Sequence, residues 1–152
     1  MTHPYDKYRK NIEWTIVAEA IEALINNRDI ELTTQQDYVV GYISKQLVDK
    51  KAETDLRIRI LLSANRALWG AITPNLRAIT VDYNKELLTL RAYFDKGASE
   101  DDKELINDAL GGIMADIYQI EKCHYEPIDS PFPNKMSNLK DWVYIRHEES
   151  NG

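Results

Sequence analysis

The sequence predicts an α+β fold: three N-terminal helices followed by a ββαββ unit with a mostly antiparallel four-stranded sheet. Three observations predict it. Apolar residues recur at helical spacing up to Pro74. Beyond Pro74, two alternating runs rich in branched and aromatic residues flank a turn signal. A strongly capped helix then separates them from two further strand-like segments, and a helix laid on one sheet face buries all of these apolar sides. The 152 residues fit a single domain, 1–152. Within it, 1–53 reads as a two-helix N-terminal extension packed on a 54–147 α+β core.

The first helix spans about 10–27, with Trp14, Val17, Ile21, Leu24 and Ile25 inward and a stop at Asn26-Asn27-Arg28-Asp29. Thr33-Thr34-Gln35-Gln36 has capping-box spacing, so a second helix starts there and runs to about Lys50, burying Val39, Val40, Ile43 and Leu47. Thr54 caps a third helix, with Ile58, Leu61, Leu62, Asn65, Leu68 and Trp69 inward. It ends at Thr73-Pro74, because the residue before proline is pushed out of the α region.

Leu76–Tyr83 and Glu86–Phe94 read as a hairpin over the two-residue loop Asn84-Lys85. Pairing Tyr83 with Glu86 sets Val81 opposite Leu88 and Ile79 opposite Leu90 on one face, and Thr80 opposite Thr89 on the other. A slip of one residue would destroy that match. Ser99 followed by Glu100-Asp101-Asp102 is a helix start, with a cap and three acids where the dipole is positive. The helix buries Leu105, Ile106, Ala109, Ile113, Ile117 and Ile120. Gly111-Gly112 inside it costs stability and implies a close approach, such as to the sheet, or a kink. Lys122–Ile128 reads as a strand, 129–139 as a loop, Trp142–Arg146 as the last strand, and Glu148–Gly152 as a frayed tail.

Chemistry-bearing groups are sparse. One cysteine, Cys123, forms no internal disulfide and fits a reduced, cytoplasmic compartment. No apolar run is long enough to span a membrane or to form a signal peptide. Cys123 and His124 sit next to each other on a strand and so point to opposite faces. The expected arrangement is a buried Cys beside an exposed His. No spaced ligand set for a metal and no glycine-rich phosphate loop is present, so the reading assigns no cofactor, no metal and no catalytic residue. Arg57, Arg59 and Arg66 form a row on the third helix that could touch phosphate, but the modest local charge favours a solvated face balanced by Glu53 and Asp55. Tyr83, Tyr93, Tyr118, Tyr125 and Tyr144 read mostly as half-buried packing residues, with one or two as binding anchors.

Charge is the informative property. Residues 1–72 carry ten Lys/Arg and ten Asp/Glu, whereas 73–152 carry nine and fifteen, so the net −6 lies entirely in the latter half. Phosphate binding is built on Lys and Arg, so direct nucleic-acid binding is not expected, and a basic protein partner fits better. The acids crowd around one helix start: Asp95, Glu100, Asp101, Asp102, Glu104 and Asp108. They serve the helix dipole and solubility, or else they form a face that docks a basic partner. Acid–base catalysis would need a pocket that shifts their pKa values.

The segments Ile72-Thr73-Pro74-Asn75-Leu76-Arg77-Ala78-Ile79-Thr80-Val81, Leu90-Arg91-Ala92-Tyr93-Phe94-Asp95, Ser99-Glu100-Asp101-Asp102 and Asp141-Trp142-Val143-Tyr144-Ile145-Arg146 together carry a likeness. Over about residues 60–147 the chain resembles small bacterial immunity proteins of contact-dependent growth inhibition systems. The resemblance implies an inhibitor that binds a toxin domain in the cytoplasm, in many cases a nuclease with a basic surface, and blocks its active site or a required surface; a monomeric, one-to-one inhibitor is the expected form. It carries over no catalytic residue and does not fix the contact surface. The other readings are a small accessory or self-associating interaction protein, and a small hydrolase using the acidic cluster.

Overall fold

The computed structural model describes residues 14–20 and 36–148. The chain divides into two compact units, Met1–Arg57 and Ile58–Gly152, which are taken separately.

In the first unit, residues 14–20 are helical (α1) and Trp14 and Val17 are buried, on the side expected. The rest of that helix's expected inner face, its stop at 26–29 and the cap beginning at Thr33 lie outside the described residues, as does the Val39 side chain. The second and third expected helices are one: α2 runs unbroken over Gln36–Ala67, 32 residues. The stretch Lys50-Lys51-Ala52-Glu53 contains no Gly or Pro to end a helix, and long charged side chains favour its continuation. Thr54 does not cap anything. Its hydroxyl donates back to the Lys50 carbonyl at 2.9 Å, the interior role of a helical threonine. The phase also differs from expectation. Val40 and Ser44 are buried, while Ile43 and Leu47 face outward.

The second unit begins with the last turns of α2. Their buried column is Ile60, Ser63, Ala64 and Leu68, whereas Ile58, Leu62 and Trp69, expected inside, are exposed. The small Ser63 and Ala64 on the inner side allow a neighbouring helix to approach closely, so burial here does not follow size alone. The helix stops at Ala67, before Thr73-Pro74, and Gly70 in the turn that follows takes φ 83°, the left-handed conformation glycine accepts without strain.

Four strands follow: β1 Leu76–Tyr83, β2 Leu87–Phe94, β3 Lys122–Asp129 and β4 Asp141–Ile145. Their order is β3-β2-β1-β4. β1 pairs antiparallel with both β2 and β4, but β3 joins β2 in parallel, so the sheet is mixed. The helix α3, Glu100–Asp116, is the crossover that a parallel neighbour requires. In the hairpin Val81 faces Leu90, Ile79 faces Ala92 and Tyr83 faces Leu88. Each partner lies two residues from the expected one, which keeps the same faces together. The loop is Lys85-Glu86, one residue later than expected, because Asn84 acts as the turn's first residue. Its side-chain oxygen accepts the amides of Glu86 and Leu87 at 2.7 and 2.9 Å, and its own amide donates to the Leu87 carbonyl at 3.0 Å.

The central strand β1 is buried on both faces except at Asp82. α3 lies over the face carrying Leu88, Leu90 and Tyr125, where the Tyr125 hydroxyl donates to the Lys103 carbonyl at 2.8 Å. Ile106, Ala109, Leu110 and Ile113 fill that layer, whereas Leu105, expected inside, is 41% exposed. The loop after β3 covers the opposite face. Thr80 accepts the Leu139 amide at 3.0 Å, and the Tyr93 hydroxyl donates to the Ser137 carbonyl at 2.9 Å. Cys123, expected buried, is exposed, because β3 is an edge strand with few neighbours.

Candidate partner-binding surfaces

The six acids singled out in the sequence divide into two sets. Asp95 and Asp102 are consumed inside the fold. Asp95 accepts Arg146 Nη2 at 2.7 Å and the amides of Lys96 and Phe132 at 2.9 and 3.1 Å. The Arg146 guanidinium and those amides hold its carboxyl at about 2. Asp102 completes the capping box, accepting the Ser99 amide at 2.7 Å while its own amide donates to Ser99 Oγ at 3.1 Å. It also accepts Asn75 Nδ2 at 3.1 Å, and these donors, led by the Ser99 amide, bring it down to about 2.

Glu100, Asp101, Glu104 and Asp108 are exposed. Glu100 meets Lys103 at 3.3 Å, while among the described residues Asp101, Glu104 and Asp108 have no partner. Lys103 leans across to Asp129 as well, at 3.2 Å. Residues 101, 104 and 108 follow the three- and four-residue spacing of one helix face, with Leu105 between them. The stripe is therefore an outward-facing acidic ridge.

The C-terminal segment builds a second ion-pair cluster. Glu148 was expected in a frayed tail, but it accepts both Nε and Nη2 of Arg77 at 2.6 Å. Arg77 is the extra residue at a bulge between Leu76 and Ala78, and its side chain is 2% exposed. It also donates to the carbonyls of Ser130 and Asn134 and lies 5.8 Å from the Phe132 ring. The bulge turns the guanidinium toward the loop, which lets one residue anchor three segments. Residues 149–152 lie outside the described residues.

A groove of about 580 Å³ lies at the ends of α2 and α3, lined by Arg59, Leu62, Ser63, Asn65, Arg66, Trp69, Asp116 and Ile117. Asp116 is pinned by the Ser63 hydroxyl at 2.5 Å and by Arg66, which keeps it below the usual carboxylate range. Trp69 is 82% exposed and Leu62 67%. Helical spacing alone predicts both to lie inside. The signal that could have found them is the series 59, 62, 66, 69, an Arg-Leu-Arg-Trp stripe at helical spacing that shares the face of the arginine row.

Among the described residues no group of His, Cys, Asp or Glu is arranged to hold a metal ion, and no helix is long and apolar enough to cross a membrane. His124 reaches Glu126 at 3.5 Å and is exposed.

A family model described as MafI2 immunity protein matches residues 57–148. That span includes the final turns of α2, the whole sheet, α3 and the Arg77–Glu148 pair. No curated protein matches the chain.

Proposed function

The chain belongs to the MafI2 immunity protein family, and from that membership we propose that it binds a cognate toxin domain one-to-one and neutralises it by steric and electrostatic occlusion. The family supports immunity against a toxin. The outward ridge of Glu100, Asp101, Glu104 and Asp108 supports a basic toxin surface as the target, with a nuclease as the toxin type. Like charges placed on a convex helix steer an oppositely charged protein into encounter and exclude wrong partners. The proposed setting is the cytoplasm of a bacterial cell exposed to contact-delivered effectors, with the inhibitor acting as a monomer.

The observation that carries this reading is the family match over the same residues that form the sheet, α3 and its acidic ridge. An enzyme built on the same acids would need them to converge in a pocket. Two of the six serve the fold, and the other four point into solvent.

The test is co-expression with the toxin domain encoded beside this chain. The expected result is restored growth and a one-to-one complex on co-purification. Undiminished toxicity with the chain present and folded would overturn the proposal.

A further inference from the structure

We propose that the groove at the ends of α2 and α3 is a second docking point, taking an apolar side chain flanked by carboxylates from an acidic stretch of the partner protein. This rests on the immunity reading for the partner's identity and adds the chemistry of a contact distant in charge from the acidic ridge.

The groove combines two properties. Leu62, Ile117 and the Trp69 ring offer apolar walls, and Trp69 at 82% exposure is an unusual amount of indole for a surface without a partner. Around those walls the charged side chains are two arginines, Arg59 and Arg66, against one carboxylate, Asp116, beside the neutral Ser63 and Asn65. The Arg59 guanidinium and the Trp69 indole N–H have no partner among the described residues, and neither group can accept a hydrogen bond. The one carboxylate in the lining, Asp116, accepts both Ser63 and Arg66 through Oδ2, so the Arg66 charge is paired and that of Arg59 is left for a partner.

A partner that covers this groove without supplying acceptors would leave those donors buried and unsatisfied, which is costly. A basic segment would add repulsion from Arg59 and Arg66. A carboxylate meets a guanidinium with two charge-assisted hydrogen bonds and leaves the Trp69 face for an apolar side chain. Tryptophan and arginine are also the residue types that dominate binding energy at interfaces. The acidic ridge and this groove thus select opposite charges on one partner, which fixes its orientation along α3 as well as its encounter.

The full chain is observed by NMR through the Trp69 indole ¹⁵N–¹H signal, identified by its loss in Trp69→Phe. Three probes are added separately: a capped Glu-Asp-Leu-Phe-Asp-Glu peptide, a Lys/Arg counterpart of the same length, and inorganic phosphate. The expected result is a saturable shift with the acidic peptide alone, abolished in Arg59→Glu. A shift with the basic peptide, a shift with phosphate, or no shift with the acidic peptide would each overturn the assignment, phosphate pointing instead to a nucleic-acid-like ligand.

The toxin domain is then titrated into the wild type, Trp69→Ala and Arg59→Glu, all with unchanged melting temperature. A loss of affinity of at least about tenfold in each variant supports the groove. Equal affinity in all three overturns the groove while leaving the immunity function intact. Absence of binding to the wild type overturns the immunity reading, and with it this partner assignment.

Discussion

Arg77 shows how far one residue can organise a fold. Removing a guanidinium from water costs several kcal/mol, which is offset only when its donors are met. Here Glu148 accepts from Nε and Nη2, and the Ser130 and Asn134 carbonyls both accept from Nη1. Truncating the acid would strand a buried cation. Glu148→Ala is expected to cost about 3–5 kcal/mol in urea unfolding, and a change under about 0.5 kcal/mol, typical of surface sites, would show that the pair is not formed in solution. The same cluster sets an acid limit. Asp95 sits at about 2 against an ordinary 3.8, held by Arg146, and Glu148 is lowered from 4.5, held first by Arg77. Both groups bind protons more readily unfolded than folded, so their stabilisation is present above the ordinary range and is lost as pH falls through it toward the folded value. Melting temperature is therefore expected to stay level from neutrality to about pH 5 and to drop below it, with a shallower drop in Asp95→Asn. An equally steep drop in that variant would remove Asp95 as a cause.

At the scale of elements, α3 carries an avoidable weakness. Gly112 approaches α2, where an added Cβ would lie 3.6 Å from that of Ala67, an ordinary contact, and nothing lies near Gly111. The close approach that Gly111-Gly112 implied is therefore to α2, and the helix stays helical throughout. Gly111→Ala is expected to stabilise the protein by about 0.5–1 kcal/mol, through lower chain entropy when unfolded. Thermal unfolding checks it, and a loss of stability would reveal a contact at that position. What was legible in the sequence follows from such local physics. Ser99 and Asp102 announced the capping box by spacing alone, and alternation fixed the hairpin's faces even though Asn84 moved its loop. Other features were settled by partners distant in sequence. Leu62 and Trp69 looked like core because they are large, but the α2–α3 contact selected Ser63, Ala64 and Ala67. The parallel placement of β3 depends on where α3 crosses. Glu148 reads as tail until Arg77 is known to be buried opposite it. Of the candidate acids, composition located the ridge, while spacing could not show that Asp95 and Asp102 were already occupied.

For the whole molecule, the question is which surfaces are open to another protein. The sheet's two edges are both guarded. On β3 the amides of Lys122 and, just past the strand, Ser130 donate to β2 and its extension, so the odd-numbered residues face outward, and Pro127 stands at one of those positions with no N–H to offer. On β4 the pairing with β1 skips Val143, a bulge that interrupts a clean edge. Both features oppose association through strands. The charge imbalance then acts on rate. With net −6 confined to the latter half of the sequence and Asp101, Glu104 and Asp108 on an exposed ridge, a basic toxin would be captured faster than diffusion alone allows. Reversing all three to lysine is expected to slow association by about tenfold or more at low salt and to change dissociation far less. Raising ionic strength from about 0.01 to 0.15 M shortens the screening length from about 30 to 8 Å, so the wild-type rate should fall toward that of the variant. Stopped-flow association at both salts measures this. Equal, salt-independent rates for the two proteins would mean that the ridge serves solubility alone and that capture depends on short-range contacts elsewhere on the helices.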